Sequence, residues 1–440
     1  MNSAAPDSLS WRNWAGTATA THARRVRPRD TEEISAAIMA AADEGRTVRA
    51  LGSGHSFTDA AATDGVALDL SEMTGIVAAE GKTGLVTVRA GTTLHELNQE
   101  LDGRGLAMTN LGDIDAQTIA GAISTGTHGT GAKFGGIATQ VVALELVLAD
   151  GSVVRCSADD RPELFAAAKV GLGALGVVST VTLQCVPAFV VAADEHPEPV
   201  DKVLEQLDEL ISDNDHFEFY WFPYGNNALV KRNNRQPPGT QPRPLSPRRQ
   251  YLEYELLENK AFGLLCRTGR TIRPLVKPLN KLSSAMLSSR SYSDVSHRVF
   301  VTSRQVRFVE SEFAVPRETL PDVFRELRLE ISKLRHPVMF PVEFRVAAAD
   351  DIWLSTAHER ATAYVAIHQF VGMPYREYFE RFWAIVGAVD GRPHWGKLHP
   401  LTADALVERY PRFIDFLRVR DTVDPHRRFG NAYLRRVLGE

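Results

Sequence analysis

The amino-acid sequence predicts an α+β chain of two domains, an α/β-patterned unit over residues 1–187 followed by a second unit over residues 188–440. Three observations lead there. At 440 residues the chain is longer than one core ordinarily supports. Over residues 25–187, segments rich in Val, Leu and Ile alternate with amphipathic ones. Beyond Pro187 that alternation gives way to a dense aromatic segment and then to a proline-rich, polar stretch.

The first unit opens with a helix. Thr31, Glu32 and Glu33 form an N-cap and acidic first turn ahead of Ile34, Ile38 and an alanine run, and Gly45 ends the helix before a strand at 47–51. A tight Gly52-Ser53-Gly54 turn follows. Further strands are expected at 66–70, 85–90, 141–148 and 176–183, with Asp150-Gly151 as a hairpin turn. In the second unit, 217–222, 300–315 and 338–347 read as strands and 321–334 and 375–386 as helices. Five prolines within 235–247 mark an exposed loop, an insertion and not a boundary.

Hydrophobic residues at 44% and charged residues at 24% are those of an ordinary globular protein. A net charge of −4 offers no basic footprint, so neither nucleic acid nor an anionic membrane is an expected partner. Cys156, Cys185 and Cys266 lack the spacing of zinc or redox motifs, so no metal is expected and the thiols read as reduced. Residues 1–14 are polar, without a secretory pattern, and no window approaches the roughly 20 apolar residues needed to span a bilayer. A cytoplasmic location is expected, with peripheral membrane association left open.

Three glycine-rich segments carry the chemistry. In Arg49-Ala50-Leu51-Gly52-Ser53-Gly54-His55-Ser56-Phe57 a strand runs into a turn whose N–H groups can cradle a pyrophosphate, although a plain tight turn would read the same. Residues 118–131 hold four glycines, four threonines, a serine and His128 with no acidic or basic side chain besides the histidine. They suit either a buried loop against a sheet or a cofactor loop whose glycines admit a large ligand. Gly171-Leu172-Gly173-Ala174-Leu175-Gly176-Val177-Val178 reads by itself as a helix-to-strand connection.

In this order and spacing the three segments resemble the vanillyl-alcohol-oxidase-type flavoproteins, and within them the aldonolactone oxidoreductase branch close to alditol oxidase. The resemblance runs from Trp14 to Gly439. It implies an FAD-binding domain of the PCMH type and a C-terminal substrate domain with an antiparallel sheet, whose last segment, 391–440, returns to the flavin. In that branch the histidine of the Gly-Ser-Gly-His-Ser turn bonds FAD covalently, which here means His55. The resemblance further assigns Gly52, Ser53, Gly54, Ser56, Gly112, Thr118, Gly121, Thr125, Gly126, His128, Gly176, Val177, Val178 and His394 to the cofactor.

The second unit supplies the other matches. Period two puts Glu343 and Arg345 on one strand face; by themselves they could be a solvated ion pair, and the resemblance makes them a catalytic and substrate-binding pair. Arg392-Pro393-His394-Trp395-Gly396-Lys397 could be an aromatic core corner, but it resembles the branch's His-Trp-x-Lys signature. Lys397 would then stabilise negative charge on reduced flavin. Residues 424–434 resemble the branch's closing segment. His368 reads equally as a core histidine or a catalytic one, and Gln369, Phe370 and Val371 after it depart from the alditol oxidases. That departure favours an aldono-1,4-lactone over an alditol such as xylitol or sorbitol as substrate.

Asn110-Leu111-Gly112-Asp113-Ile114 resembles the segment beside the flavin's reactive edge. Asp113, where alditol oxidases carry a substrate-binding serine, is expected to contact substrate. Gly112 leaves room for oxygen, so O2 and a cytochrome- or quinone-like acceptor stay open as alternatives.

Overall fold

The computed structural model describes residues 9–440; residues 1–8, part of the N-terminal stretch read for a leader, lie outside the described residues. The α/β alternation of the first half resolves into two main sheets, with two short strand pairs beside them. Strands Arg24–Val26, Val66–Asp69 and Val48–Leu51 form a three-stranded parallel sheet, with Val66–Asp69 at its centre. Five further strands are antiparallel, in the order Val153–Ser157, Val141–Val147, Val177–Gln184, Leu85–Arg89, Ile76–Glu80. The hairpin at Asp150-Gly151 forms, with Gly151 at φ +79°, a conformation open to glycine. Helix Thr31–Asp43 is capped one residue earlier than expected: the Asp30 carboxylate, not Thr31, accepts from the Glu33 amide at 2.8 Å.

The second half is built on an eight-stranded antiparallel sheet. Its order is Arg290–Val295, Val190–Pro199, Asn227–Arg235, His216–Trp221, Val342–Ala347, Thr362–Phe370, Phe308–Pro316, Arg392–Pro393. Helices Leu320–Lys333 and Arg376–Gly387 bury Phe324, Leu327, Phe379 and Phe382 with the sheet's Phe219, Phe313 and Phe344 in a second core. Two strands are shorter than their apolar runs suggest. Residues 338–341 stay outside the ladder because Pro341 lacks an N–H at the strand's threshold. Phe300 closes helix Ser296–Phe300, and residues 301–307 form a loop tied to Asp113 through Thr302 and Arg304.

The end of the chain completes the beginning. Trp395, Tyr410, Phe413, Phe416, Tyr433 and Leu434 are buried in the same apolar cluster as Ile34, Val48 and Leu68. Backbone bonds weld the two: Val48 N–H to Arg428 O at 2.8 Å and Phe57 N–H to Gly396 O at 2.7 Å. The buried Arg49 guanidinium donates to the carbonyls of Ala60, Leu172, Gly173 and Phe429 at 2.5 to 2.9 Å. Arg49→Met removes a charge that satisfies four buried acceptors, and a loss of about 3 kcal/mol or more is expected. A lowered urea midpoint checks it; an unchanged midpoint would show that water replaces the guanidinium.

Candidate active site

Two clefts share four residues, His55, Ser56, Gln117 and Thr125, and so form one elongated space. The first, about 860 Å³, runs over the Gly52–Ser56 turn, Thr118, Gly121, Gly173, Gly176 and Val178. Its floor is shaped for a close-lying ligand. A Cβ at Gly52 would sit 2.9 Å from Thr118 Oγ1. Among the described residues, the backbone N–H groups of Ser53, Gly54, His55 and Ser56 donate to no protein acceptor. Four unclaimed donors on a glycine turn suit a pyrophosphate. Arg49 holds the opposite rim, where Leu172 and Gly173 both take positive φ (54° and 62°).

His55 stands at the junction, its ring stacked on Trp14 at 5.8 Å. Burial, reinforced by the Lys397 charge, pushes its pKa down to about 4, so the imidazole is neutral at pH 7. Neither ring nitrogen has a partner among the described residues.

The second cleft, about 1030 Å³, holds two ion clusters. On one wall Glu343 and Arg345 pair with each other, as their two-residue spacing requires. The Arg345 Nε donates to Glu218 Oε2 at 2.8 Å, Lys231 lies 3.5 Å from Glu218, and the Tyr220 hydroxyl donates to Glu343 at 3.1 Å. Burial, with Glu218 and Asp113 nearby, pushes the Glu343 pKa up against the pull of Arg345. Along the same sheet face, two strands over on Phe308–Pro316, Glu310 Oε1 lies 2.5 Å and Glu312 Oε2 3.6 Å from Lys397 Nζ. Burial opposes that ammonium's charge, but the two carboxylates outweigh it and raise its pKa. The His368 Nδ1 donates to the Pro341 carbonyl at 3.0 Å, which turns Nε2 toward Glu310, 3.5 Å away.

His128 stacks on Tyr364 and bonds Glu312 through Nε2 at 2.7 Å. His394 accepts the Gly396 N–H on Nδ1 at 3.0 Å, and burial lowers its pKa to about 3, which leaves its proton on Nε2. The ligating atoms of His128, Glu312 and His394 lie within 4.8 Å of one another, near enough to hold a cation, although His128 and Glu312 already bond each other.

Of the residues expected at the site, most line one cleft or the other, and three behave differently. Val177 alternates with Val178 and points into the core at 1% exposure. Gly126, at φ +75°, turns the chain out of helix Ile119–Ser124 and lines neither cleft. Asp113 lines the second cleft, but its carboxylate is taken up by Thr302 and by Arg304 Nε and Nη2, at 2.9 and 2.7 Å from Oδ2. It anchors Arg304. Gly112 also lines this cleft, and a Cβ there would lie 3.0 Å from the His128 carbonyl.

Sequence reasoning missed Glu310 and Glu312, whose i, i+2 spacing on the apolar strand Phe308–Pro316 is the same signal that singled out Glu343 and Arg345. It also missed Tyr220 and Arg304, which carry no local signal.

Residues 23–157 match the FAD binding domain family, and residues 181–437 match the D-arabinono-1,4-lactone oxidase family. The L-gulono-1,4-lactone dehydrogenase of Mycobacterium tuberculosis is 43% identical, covering 98% of this chain and 99% of that protein. The L-gulonolactone oxidase of Mus musculus is 34% identical, covering 98% of each. Among solved structures, a solvent-stable cholesterol oxidase superposes with a TM-score of 0.82 at 19% identity, covering 99% of this chain and 98% of that one, a likeness of fold.

Proposed function

The chain belongs to the D-arabinono-1,4-lactone oxidase family of FAD-dependent oxidoreductases acting on CH–OH donors, and from that premise we propose how its own residues divide the work. The substrate is an aldono-1,4-lactone of the gulono, galactono or arabinono type, in preference to an open-chain alditol. The observation that carries the assignment of roles is the union of the two clefts at His55, with two ion clusters side by side on the sheet face that lines the second. The free amides at 53–56, with Thr118, Gly121 and Gly176, would hold the pyrophosphate end of FAD. Bound FAD supplies a ring that accepts a hydride from the substrate's carbinol carbon.

Arg345 and Glu343 orient the lactone's hydroxyls, the first as a forked donor and the second as acceptor or donor according to its proton. His368 Nε2, 3.5 Å from the Glu310 carboxylate, receives the hydroxyl proton. Lys397 presents positive charge where negative charge develops. The neutral His55 imidazole, whose nitrogens have no partner among the described residues, keeps a nucleophilic lone pair, which supports covalent attachment of the flavin there. Reoxidation is by O2, giving hydrogen peroxide, or by a cytochrome- or quinone-like acceptor.

Anaerobic mixing of the flavin-loaded protein with gulono-, galactono- and arabinono-1,4-lactone, and with xylitol and sorbitol, tests the substrate. Bleaching of the visible flavin band by a lactone is expected; bleaching by the alditols alone would overturn it. For the attachment, acid-precipitated wild type is expected to keep its yellow colour in the pellet and His55→Ala to release all of it. A wild-type pellet that loses its flavin would refute the covalent bond.

A further inference from the structure

We propose that the helical layer over residues 247–286 is a docking face for an anionic lipid bilayer. This layer connects strands Asn227–Arg235 and Arg290–Val295 as a π-helix, Tyr251–Ala261, followed by helices Phe262–Thr271 and Val276–Ala285. Of the fifteen large apolar side chains exposed among the described residues, nine lie between 251 and 286. Leu264 is 61% exposed, Ile272 50%, Leu282 49% and Met286 69%. Scattered apolar exposure is ordinary; concentration in one short layer marks an interaction surface.

The charge on this layer selects the partner. Residues 247–259 carry Arg248 and Arg249 against Glu253, Glu255 and Glu258, and residues 260–286 carry Lys260, Arg267, Arg270, Arg273, Lys277 and Lys281 and no Asp or Glu, in a chain whose net charge is −4. Among the described residues none of the latter six pairs with a carboxylate, so their charge is unspent within the fold. The overall charge that argued against an anionic surface conceals this asymmetry. Helix geometry puts both chemistries outward together. Along Phe262–Thr271, Leu264, Arg267 and Arg270 face solvent while Gly263, Cys266 and Gly269 face in; along Val276–Ala285, Lys281 and Leu282 face out while Val276, Asn280 and Ser284 face in.

Leucine, isoleucine and methionine interleaved with lysine and arginine are the composition of a helix that lies in the headgroup region, its apolar side chains entering the acyl boundary and its cations meeting anionic lipid. Nucleic acid would use the cations and leave the apolar side chains in water. Two copies meeting through this face would bring twelve cations together. The inner side of the layer packs Phe262, Cys266 and Val276 against Phe308 and Phe340 of the substrate cleft, so the face turned to lipid is the outside of that cleft's roof.

Vesicle cosedimentation of the flavin-loaded full chain tests the proposal, using phosphatidylcholine vesicles with and without phosphatidylglycerol at low and high salt. Expected are pelleting with the anionic vesicles alone and a loss of roughly tenfold or more in K277E/K281E, as for electrostatic attraction to a charged leaflet. L264S/M286S, which leaves the charge unchanged, is expected to weaken pelleting as well, and lactone turnover is expected to survive in both variants. No pelleting, equal pelleting with neutral vesicles, or full binding by L264S/M286S would each overturn it. So would sedimentation equilibrium showing a wild-type dimer that the same substitutions dissolve, since the face would then be an interface between copies.

Discussion

Lys397→Met is expected to lower the rate of flavin reduction by lactone by about 10²–10³, the scale set by removing one preorganised group aimed at developing charge. The ammonium is half-buried in the cleft lining and fixed 2.5 Å from Glu310, a preorganised charge that a mobile ion would not reproduce. Its loss acts twice. Positive charge disappears from the cleft that opens at His55, and Glu310 and Glu312 are left as neighbouring buried carboxylates with only His368 and His128 beside them. Flavin content should hold, because Lys397 lines only the second cleft. Stopped-flow reduction and a redox titration check the prediction together. A rate within a few-fold of wild type, at unchanged potential, would remove Lys397 from the chemistry. The potential itself is expected to fall by roughly 60 mV, a hundredfold in the two-electron equilibrium.

Arg345→Met is expected to lower kcat/KM for the lactone by about 3 to 5 kcal/mol in transition-state binding, a hundredfold or more. This guanidinium joins Glu218 and Glu343, and deleting it leaves Glu343 without a cationic partner and Glu218 with Lys231 alone. Glu343, already raised in pKa, will protonate first and become a donor where the substrate meets an acceptor. A merely structural role would give the same loss, and E218Q/R345M separates the two. Removing the Glu218 charge, left with Lys231 alone, should recover thermal stability but not activity. If E218Q/R345M recovers turnover, Arg345 supports the fold and does not bind the substrate.

The readable parts of this molecule were those where local chemistry and tertiary role coincide. The Gly52–Ser56 turn needs small residues to let a ligand approach, and Glu343 and Arg345 share a face because a strand has period two, so both could be placed from the sequence. Glu310 and Glu312 obey the same rule but sit in a run whose start was misplaced at Phe300, which hid their register. Asp113 lines the cleft, but its bond to Arg304 carried no sequence signal, since Arg304 lies 191 residues away and reaches it only after the loop at 301–307 folds back. The helical layer at 247–286 was not read at all. Its π-helix lacks the 3.6-residue repeat, and Gly263, Gly269, Pro274 and Pro278 read as turn punctuation.

The weld between the two ends of the chain sets a timetable for biosynthesis. The Gly52–Ser56 turn is among the first structures translated, yet its supports at Gly396, Arg428 and Phe429 are encoded more than 340 residues later. At roughly 5 to 20 residues per second a ribosome needs tens of seconds to cover that interval. Throughout it the amino-terminal half lacks the part of its apolar core that Trp395, Phe413 and Tyr433 supply. A chain cut before residue 396 is therefore expected to lose the supports of the binding turn however intact the turn itself.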